Sequence, residues 1–473
     1  MRKEKVTKEL KQSKGITLIA LIVTIIVLLI LAGVTIAQIT GNESTPNKAV
    51  EAKNKNEQGA EMDAISVAAV SAVAEGGYNL YVDIESLQKS LKDLIEEEPE
   101  EVITGEGPWV VTGKKSKTKY VIDSEGQVYK KETPEIVTED ENLIVVNVGS
   151  FAALKGYEKL PTTKNLKAIK NAGQTNEQQM VVPAGFTVVE GNKLEDGMVI
   201  RDATYTNTIN SEFVWVPVGQ TLTFADETTG SINLSRYSFD TSTGAATQQD
   251  SDTLIDTYYT ETTSNTAARK TNNNTKIEFV EKTKENKGYY IGRYEAGVEN
   301  GTYDNTNKTW NSIDGINPIK IVCKQGVTVY NHVKRGEVSG HSGALDLAEG
   351  MYSNDTKLKS ELLTSFAWDT AVVFIEKCGT NSNYANRKRF QISLTTTGDA
   401  QDSSNNRDVQ CNIYDMASNV REWTTENSND SDLPYVARGG TFQKAGFYVS
   451  FRDNNETTVD DFFVGFRPIL YII

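Results

Sequence analysis

The feature that most constrains this chain is an uninterrupted apolar run near its start. Residues 16–39 carry no charged side chain and are mostly Ile, Leu, Val and Ala, whereas residues 1–15 are rich in lysine. As a helix, such a run extends roughly 30 Å or more, which is enough to cross a bilayer. Because the basic flank stays inside, the pattern predicts a single-pass cell-membrane protein with most of its chain extracellular.

The junction between the basic and apolar segments resembles the processing site of type IV prepilins. Gly15 directly precedes the apolar run, and Ile16 begins it. The resemblance implies a prepilin-type leader at 1–15 that is cleaved after Gly15, a transmembrane helix and stem at 16–75, and other pilin subunits as partners. Ala20 stands where fibre-forming pilins carry glutamate, which argues against a major pilin. The alternative is an uncleaved membrane anchor.

The next segment, 76–132, is predicted to be a small α+β head. Apolar residues recur at helical spacing in the stem and again over 84–98. Three short apolar runs separated by turn residues then predict an antiparallel meander. They are Trp109–Thr112, Lys119–Ile122 and Gln127–Tyr129. A long helix followed by a small antiparallel sheet is also what the pilin resemblance implies.

Composition excludes several classes of function. The net charge of −15 argues against nucleic acid as a partner. With 2 histidines and 3 cysteines, the chain has little material for a multi-histidine metal site, a Ser-His-Asp triad or a disulfide scaffold. Cys323, Cys378 and Cys411 allow one disulfide at most. His332 and His341 are predicted to lie in a surface loop.

Two less regular segments complete the organisation before the last large domain. Residues 133–180 are mixed in composition and are predicted to be a connector with one short helix. Residues 226–276 are rich in Thr, Ser, Asn and Asp and are predicted to be an insertion loop.

Residues 181–473 carry several motifs in a fixed order. The most specific are the segment 412–424, which contains Tyr-Asp-Met-Ala-Ser-Asn, and the Arg-Gly-Gly and Gly-Phe-Arg motifs at 438–440 and 465–467. Together they resemble the formylglycine-generating enzyme family (sulfatase-modifying factor domains). The resemblance implies an irregular variant of the C-type lectin fold. We therefore expect an α+β chain, in which a transmembrane helix and a pilin-like sheet precede a lectin-like domain.

Several residues of these motifs are predicted to be architectural. Trp423, Phe442 and Phe466 are large apolar groups in polar, Gly-rich surroundings, and loop-rich cores need such anchors. Arg438 and Arg467 offer planar guanidinium groups that can donate to several backbone carbonyls in a core short of regular strands.

The loop from residue 415 to 422 is the candidate metal site. Hard oxygen ligands from carboxylates and backbone suit calcium, and in the resembling family this segment binds calcium. The resemblance implies a structural calcium held by the side chains of Asp415 and Glu422 and the backbone of Ser418 and Val420. The alternative is a structural pair between one of these carboxylates and an arginine.

Catalysis is not expected. The family's oxidation chemistry uses two cysteines that follow the Arg-Gly-Gly motif and hold copper(I), which selects thiolates. The matching stretch, 443–452, contains no cysteine, so we expect neither copper nor enzymatic activity. An oxidase that uses displaced cysteines is the alternative.

The stretch between the two arginine motifs is predicted to bind an extracellular protein or glycan. Aromatic side chains mixed with Asn and Asp are typical of adaptable recognition surfaces, although a loop with a few core aromatics is equally compatible. The predicted contacts are Phe442, Gln443, Lys444, Phe447, Tyr448, Asp453, Asn455, Asp460 and Phe462.

These expectations combine into one hypothesis of function. The chain would be a cell-surface, pilin-like protein that displays a catalytically inactive lectin-like domain for ligand binding or adhesion. One alternative is a structural minor pilin or tip subunit of a pilus. Another is a variable receptor whose residues 442–463 are diversified by a retroelement.

Overall fold

The computed structural model describes most of the chain after residue 44. The described residues are 45–76, 82–105, 107–249, 277–313, 315, 318–336, 342–388, 393–402, 404–428, 432–442, 446–456, 459 and 461–473. The chain divides into two compact units. The first unit comprises 1–105 and 109–130, and the second unit comprises 106–108 and 131–473.

The first unit packs two helical faces against a small meander. Its helices are α1 (Thr45–Glu75), α2 (Ile84–Leu91) and α3 (Pro99–Val102), and its strands are β1 (Trp109–Thr112), β2 (Lys119–Ile122) and β3 (Val128–Lys130). The strands pair in the order β1-β2-β3. Ile65 and Ala69 of α1 are buried with Leu87 of α2 and Val111 of β1, so each element contributes one apolar face to a common core.

Local patterns located the elements of the first unit. The stem helix and the three meander strands are present at the predicted positions, because turn residues bound each strand. The helix predicted over 84–98 is shorter and ends at Leu91. At its start, the Asp83 carboxylate accepts a hydrogen bond from the Ser86 backbone N–H at 2.9 Å, which caps the helix.

The membrane prediction needs correction. Among the described residues, no helix combines the length and apolar character that a membrane crossing requires. The predicted helix at 16–39 lies outside the described residues, and so does the predicted processing site at Gly15 and Ile16. On this finding we withdraw the transmembrane helix from the fold prediction, together with the single-pass, pilus-associated localisation that depended on it.

The second unit is mostly β-structure. Up to residue 312 its strands are β4 (Glu135–Glu139), β5 (Leu143–Asn147), β6 (Asn165–Lys170), β7 (Gln178–Val182), β8 (Phe186–Glu190), β9 (Val199–Asp202), β10 (Glu212–Pro217), β11 (Leu222–Thr223), β12 (Thr229–Gly230), β13 (Tyr237–Phe239), β14 (Ala246–Gln248), β15 (Gly288–Gly292), β16 (Gly297–Val298), β17 (Gly301–Asp304) and β18 (Thr309–Ser312). The later strands are β19 (Ile321–Val322), β20 (Thr328–Val329), β21 (Leu358–Leu362), β22 (Val409–Gln410), β23 (Ile413–Tyr414), β24 (Arg421–Asn427), β25 (Tyr435–Arg438), β26 (Arg452–Asn455), β27 (Val464–Phe466) and β28 (Pro468–Ile472). The α-helical segments are residues 277–286 (α4), α5 (Ala344–Gly350) and α6 (Ser365–Cys378).

This composition of elements shows that the predicted fold class is wrong. The described fold is mostly β and consists of several small sheets, not an α+β chain with a dominant helix and an irregular domain. The largest sheet has six antiparallel strands in the order β21-β28-β15-β10-β9-β8. Its central strand β10 is buried along its whole length, and Trp215 on it packs against Tyr290 of β15 with ring centroids 4.9 Å apart.

The segment 133–180 forms a sheet, although the sequence predicted a connector. Strands β4 to β7 pair in chain order, with β5 and β6 parallel and the other pairs antiparallel. Ile144, Val146, Leu166 and Ala168 are buried in the main core of the second unit. Parallel strands need a long connection, so β5 and β6 are far apart in the sequence. A pattern of neighbouring residues therefore does not show that they pair.

A second sheet brings the two arginine motifs together. Its strands lie in the order β26-β25-β24-β27, and β24 runs parallel to β27. The register places Glu422 opposite Gly465 and Trp423 opposite Phe466. Trp423, Phe442 and Phe466 are buried in one core cluster, which confirms their predicted role as anchors.

The insertion predicted at 226–276 is attached to the core over its first half. Residues 226–249 include the hairpin β13–β14, and residues 250–276 lie outside the described part of the chain. The Tyr237 backbone N–H donates to the Asp369 carboxylate of α6 at 2.9 Å. The Ser235 N–H donates to the Thr370 hydroxyl at 3.2 Å.

Glu361 on β21 provides a pH test of the six-stranded sheet. It is buried and accepts a hydrogen bond from the Tyr471 hydroxyl of β28. Burial, opposed by this hydrogen bond and reinforced by the charge of Glu349, raises the pKa of Glu361 to about 8. Between pH 4.5, the ordinary pKa of glutamate, and about pH 8, Glu361 therefore keeps its proton in the native state and releases it in the unfolded state.

The unfolding free energy should thus fall as the pH rises from about 5 to about 8. Glu361→Gln cannot titrate, so it should reduce this fall by on the order of 3 kcal/mol. Denaturant titrations of both proteins at the two pH values measure the difference. Equal pH dependence in wild type and variant would contradict the assignment.

Candidate functional site

The predicted recognition residues do not form one exposed surface. Phe442 is only 9% exposed and belongs to the core cluster of the second sheet. Asp453 forms an ion pair with Arg421, and Asn455 is buried, with its side-chain amide donating to the Asp453 carbonyl at 2.7 Å. Phe442 is therefore a packing residue, and Asp453 and Asn455 already have protein partners.

The remaining residues of that stretch differ in exposure. Phe447 and Tyr448 are half-buried, and each packs edge-to-face against Phe451, with centroids 4.8 and 5.4 Å away. Phe462 is exposed, at 38% of its surface. Gln443, Lys444 and Asp460 lie outside the described residues. Within the described stretch, Phe462 is therefore the predicted aromatic residue that is most available to a ligand.

Phe462 continues into a row of rings that the sequence analysis missed. Its centroid lies 6.2 Å from that of His332, which stacks on Tyr303 at 4.0 Å with an interplanar angle of 4°. Tyr303 lies 5.6 Å from Trp310, and Trp310 stacks on Tyr330 at 4.9 Å. We call these five residues the aromatic face. Aromatic pairs of this kind hold large apolar surfaces in fixed positions.

The aromatic face is assembled by one hairpin and one asparagine. Tyr303 and Trp310 are opposite each other in the register of β17 and β18. The Trp310 indole N–H donates to the Asn331 carbonyl at 2.7 Å, and the Asn331 side-chain amide donates to the Phe462 carbonyl at 2.6 Å. Asn331 is buried, so these two bonds connect the hairpin to the segment that carries Phe462.

A pocket of about 490 Å³ opens beside this face. Trp310, Tyr330 and His332 contribute to its wall, and two lysines, Lys308 and Lys334, also line it. No aspartate or glutamate is found among the described residues of the wall. This volume is within the range of small-molecule sites.

A sequence signal for this site existed. The Asp, Asn and Thr residues at 304–307 separate two runs that each contain an aromatic residue, which is typical of a β-hairpin. His332 was assigned to a surface loop, yet its ring is stacked and its backbone φ is 52°. What the sequence could not provide is the contact between this hairpin and Phe462, which lies far along the chain.

Glu422 of β24 and Arg467, which directly follows β27, form a buried ion pair. The Arg467 guanidinium donates to the Glu422 carboxylate through Nε at 2.9 Å and Nη2 at 2.6 Å. It also donates to the carbonyls of Gly292 at 2.9 Å and Tyr414 at 2.8 Å. Both side chains are buried. The prediction that Arg467 donates to backbone carbonyls is confirmed.

Glu295 lies beside this pair. Its carboxyl group accepts hydrogen bonds from the Asn419 side-chain amide at 2.6 Å and the Val420 backbone N–H at 3.0 Å. Burial, followed by the charges of Asp415 and Glu422, raises the pKa of Glu295 well above its usual value. The Arg467 guanidinium opposes this rise in the pKa of Glu295, and it acts in the same way on the buried carboxyl groups of Asp415 and Glu422.

The two carboxylates predicted to hold calcium differ in their hydrogen bonds. The Asp415 carboxylate accepts from the Gly398 N–H at 2.6 Å through one oxygen, and the other has no partner among the described residues. The Ser418 hydroxyl donates to Asp408 at 2.8 Å. The Val420 N–H and the Glu422 carboxylate are occupied as described above.

The contact between Glu422 and Arg467 is the ion pair that the alternative to calcium predicts. Calcium takes six to eight oxygen ligands, whereas Glu422 is committed to Arg467. Within the described part of the chain, no cluster of three His, Cys, Asp or Glu side chains is suited to a metal. Calcium binding stays a prediction, and these residues give it no added support.

A second buried ionic network surrounds Asp369 of α6. The fully buried Arg438 donates to Asp369 at 2.6 Å and to Glu426 at 3.2 Å. Arg452 donates to the same two carboxylates, at 2.5 and 2.8 Å. Tyr237 contributes the backbone N–H noted above. The network thus joins α6, three strands of the second sheet and the start of the insertion.

The cysteines show no sign of activation. Cys323 is buried, Cys378 and Cys411 are half-buried, and all three are free thiols. Burial raises the pKa of Cys378 to about 12, and it also raises the pKa of Cys323 and of Cys411. Reactive thiols have lowered pKa values, so these three resemble structural cysteines.

Comparison with known proteins identifies no family. No family model matches the chain, and no curated protein matches it. CarF and variable protein 1 are among the solved structures that are similar to part of the chain. The crystal structure of CarF has 15% identity and a TM-score of 0.23, over 39% of this chain and 87% of CarF. Variable protein 1 of Treponema denticola has 17% identity and a TM-score of 0.21, over 38% of this chain and 84% of that protein. At these scores neither likeness carries an argument about function.

Proposed function

We propose that the second unit is a non-catalytic ligand-binding module whose binding surface is the aromatic face with its adjoining pocket. The observation that carries this proposal is the continuous row of rings from Tyr330 to Phe462 at the edge of a pocket of about 490 Å³. Aromatic rings supply much contact area at a small entropic cost, and they dominate binding energy at recognition surfaces.

The ionisable groups support a binding role more than a catalytic one. The buried carboxylates Asp369, Glu422 and Glu426 are paired with arginines, and the three thiols have raised pKa values. A general base or nucleophile needs a pKa near the working pH and access to a substrate. Glu361 has a pKa of about 8, but it is buried and therefore lacks such access. We therefore retain the proposal of a domain that resembles sulfatase-modifying factors and lacks their chemistry.

Phe462→Ala tests the proposal. The full chain is applied to an array of neutral and acidic glycans, and affinity is measured for each glycan that binds. Removal of an exposed anchor should weaken binding by about fivefold or more, which is about 1 kcal/mol. The unfolding free energy should fall by about 1 kcal/mol or less, because the ring is partly exposed.

Ile136→Ala is the matched control, since Ile136 is 40% exposed and lies on β4, outside the aromatic face. It should leave binding unchanged. If no glycan binds, or if both variants bind like the wild type, the proposed surface is wrong. A loss of several kcal/mol of stability in Phe462→Ala would instead assign this ring to the core.

A further inference from the structure

The pocket beside the aromatic face has a charge opposite to that of the whole chain. The chain carries a net charge of −15, yet Lys308 and Lys334 line the pocket and no carboxylate does so among the described wall residues. Lysines elsewhere in the second unit, such as Lys282 and Lys324, are paired with glutamates at 2.9 and 3.2 Å. A locally basic wall in an acidic protein favours an anionic ligand.

The two pocket lysines are also uncommitted. Within the described residues, neither ammonium group forms an ion pair or a hydrogen bond. The Lys334 backbone is fixed, because its carbonyl accepts from the Ala344 N–H of α5 at 2.8 Å. Lys308 is the last residue of the turn that connects β17 and β18, and it is exposed. The ammonium groups of both lysines are therefore available to a ligand.

The rest of the wall indicates what the anion is attached to. Trp310 presents aromatic surface and is supported from behind by the buried Tyr330, while Thr309, Asn311 and Ser342 add neutral groups that can both donate and accept hydrogen bonds. A sugar ring has apolar C–H faces for an aromatic ring and hydroxyl groups for such neutral partners. An aromatic acid would leave the neutral polar groups without partners, which lowers affinity.

We propose that this pocket binds an acidic saccharide, with its carboxylate directed to Lys308 and Lys334 and its pyranose ring against Trp310. The inference rests on the proposed binding function and specifies its ligand class. Carboxylates paired with lysine form charge-assisted hydrogen bonds, which are stronger than neutral ones. The interaction should therefore weaken as the salt concentration rises.

The experiment compares matched sugars. Disaccharides that end in glucuronate, galacturonate or N-acetylneuraminate are titrated into the full chain beside neutral disaccharides of the same size. At least one acidic sugar should bind about tenfold more tightly than its neutral partner at low salt. Lys308→Gln and Lys334→Gln should each weaken it by about fivefold, as expected for one partly exposed charge contact.

Lys159→Gln is the control for net charge, because Lys159 is partly exposed and pairs with Glu139 at 3.8 Å, away from the pocket wall. It should not change the affinity. If neutral and acidic sugars bind equally and the lysine variants match the wild type, the acidic-saccharide inference is overturned, while a loss of binding in Phe462→Ala still supports the proposed function. If no sugar binds, both are overturned.

Discussion

Arg467→Met is expected to lower the unfolding free energy of the second unit by about 4 kcal/mol, because it removes one partner of a buried ion pair. Glu422 would be left buried without its guanidinium, and the carbonyls of Gly292 and Tyr414 would lose their donors. Glu295 would lose the nearest positive charge as well. Denaturant unfolding followed by tryptophan fluorescence measures the change.

Two comparisons make this result specific. Arg407→Met breaks a partly exposed pair with Asp399, so it should cost about 1 kcal/mol or less. The double variant Arg467→Met/Glu422→Met should be more stable than Arg467→Met alone, since it removes the stranded carboxylate. The single variant Glu422→Met completes the comparison. If the losses of unfolding free energy in the two single variants add up to the loss in the double variant, Glu422 and Arg467 do not act as a pair.

Asp369→Asn is expected to lower the unfolding free energy of the second unit by about 3 kcal/mol, which is the second largest expected loss. Asp369 accepts hydrogen bonds from Arg438, Arg452 and the Tyr237 backbone. The amide carries no charge, so three guanidinium groups, those of Arg236, Arg438 and Arg452, would have to share the single carboxylate of Glu426. The substitution also replaces one acceptor oxygen by an NH₂ group, which would point at a hydrogen-bond donor.

The same change should loosen the start of the insertion. Limited proteolysis should cut the variant within residues 235–249 faster than the wild type, because the Tyr237 N–H loses its charged acceptor. Asp399→Asn, which changes a carboxylate that is only partly buried, is the control. An Asp369→Asn protein with wild-type stability and cleavage rate would show that this network is not structural.

The predictions succeeded where the determining contacts are local. The meander of the first unit is bounded by its own turns, and Trp215 lies in a short apolar run ending in a turn, which is typical of a buried strand. The anchors Trp423 and Phe466 were also identifiable, because large rings in Gly-rich surroundings have few other roles.

The predictions failed where residues distant in sequence decide the structure. The strands at 133–180 depend on a parallel pairing between β5 and β6 that no local pattern records. Asp415 and Glu422 are predicted calcium ligands, and that binding stays a prediction. Their surroundings are set by Arg467 and Glu295, which lie far from this loop in the sequence, so no local pattern could show the Glu422–Arg467 ion pair.

The position of β28 has a consequence for biosynthesis. This strand follows all the others in sequence, yet it lies inside the six-stranded sheet between β21 and β15. The sheet therefore cannot close until residues 468–472 have left the ribosome, and its edges at β15 and β21 stay unpaired until then. Long-range pairing of this kind is slow, and the unpaired strand edges are prone to aggregation until the last strand has been added.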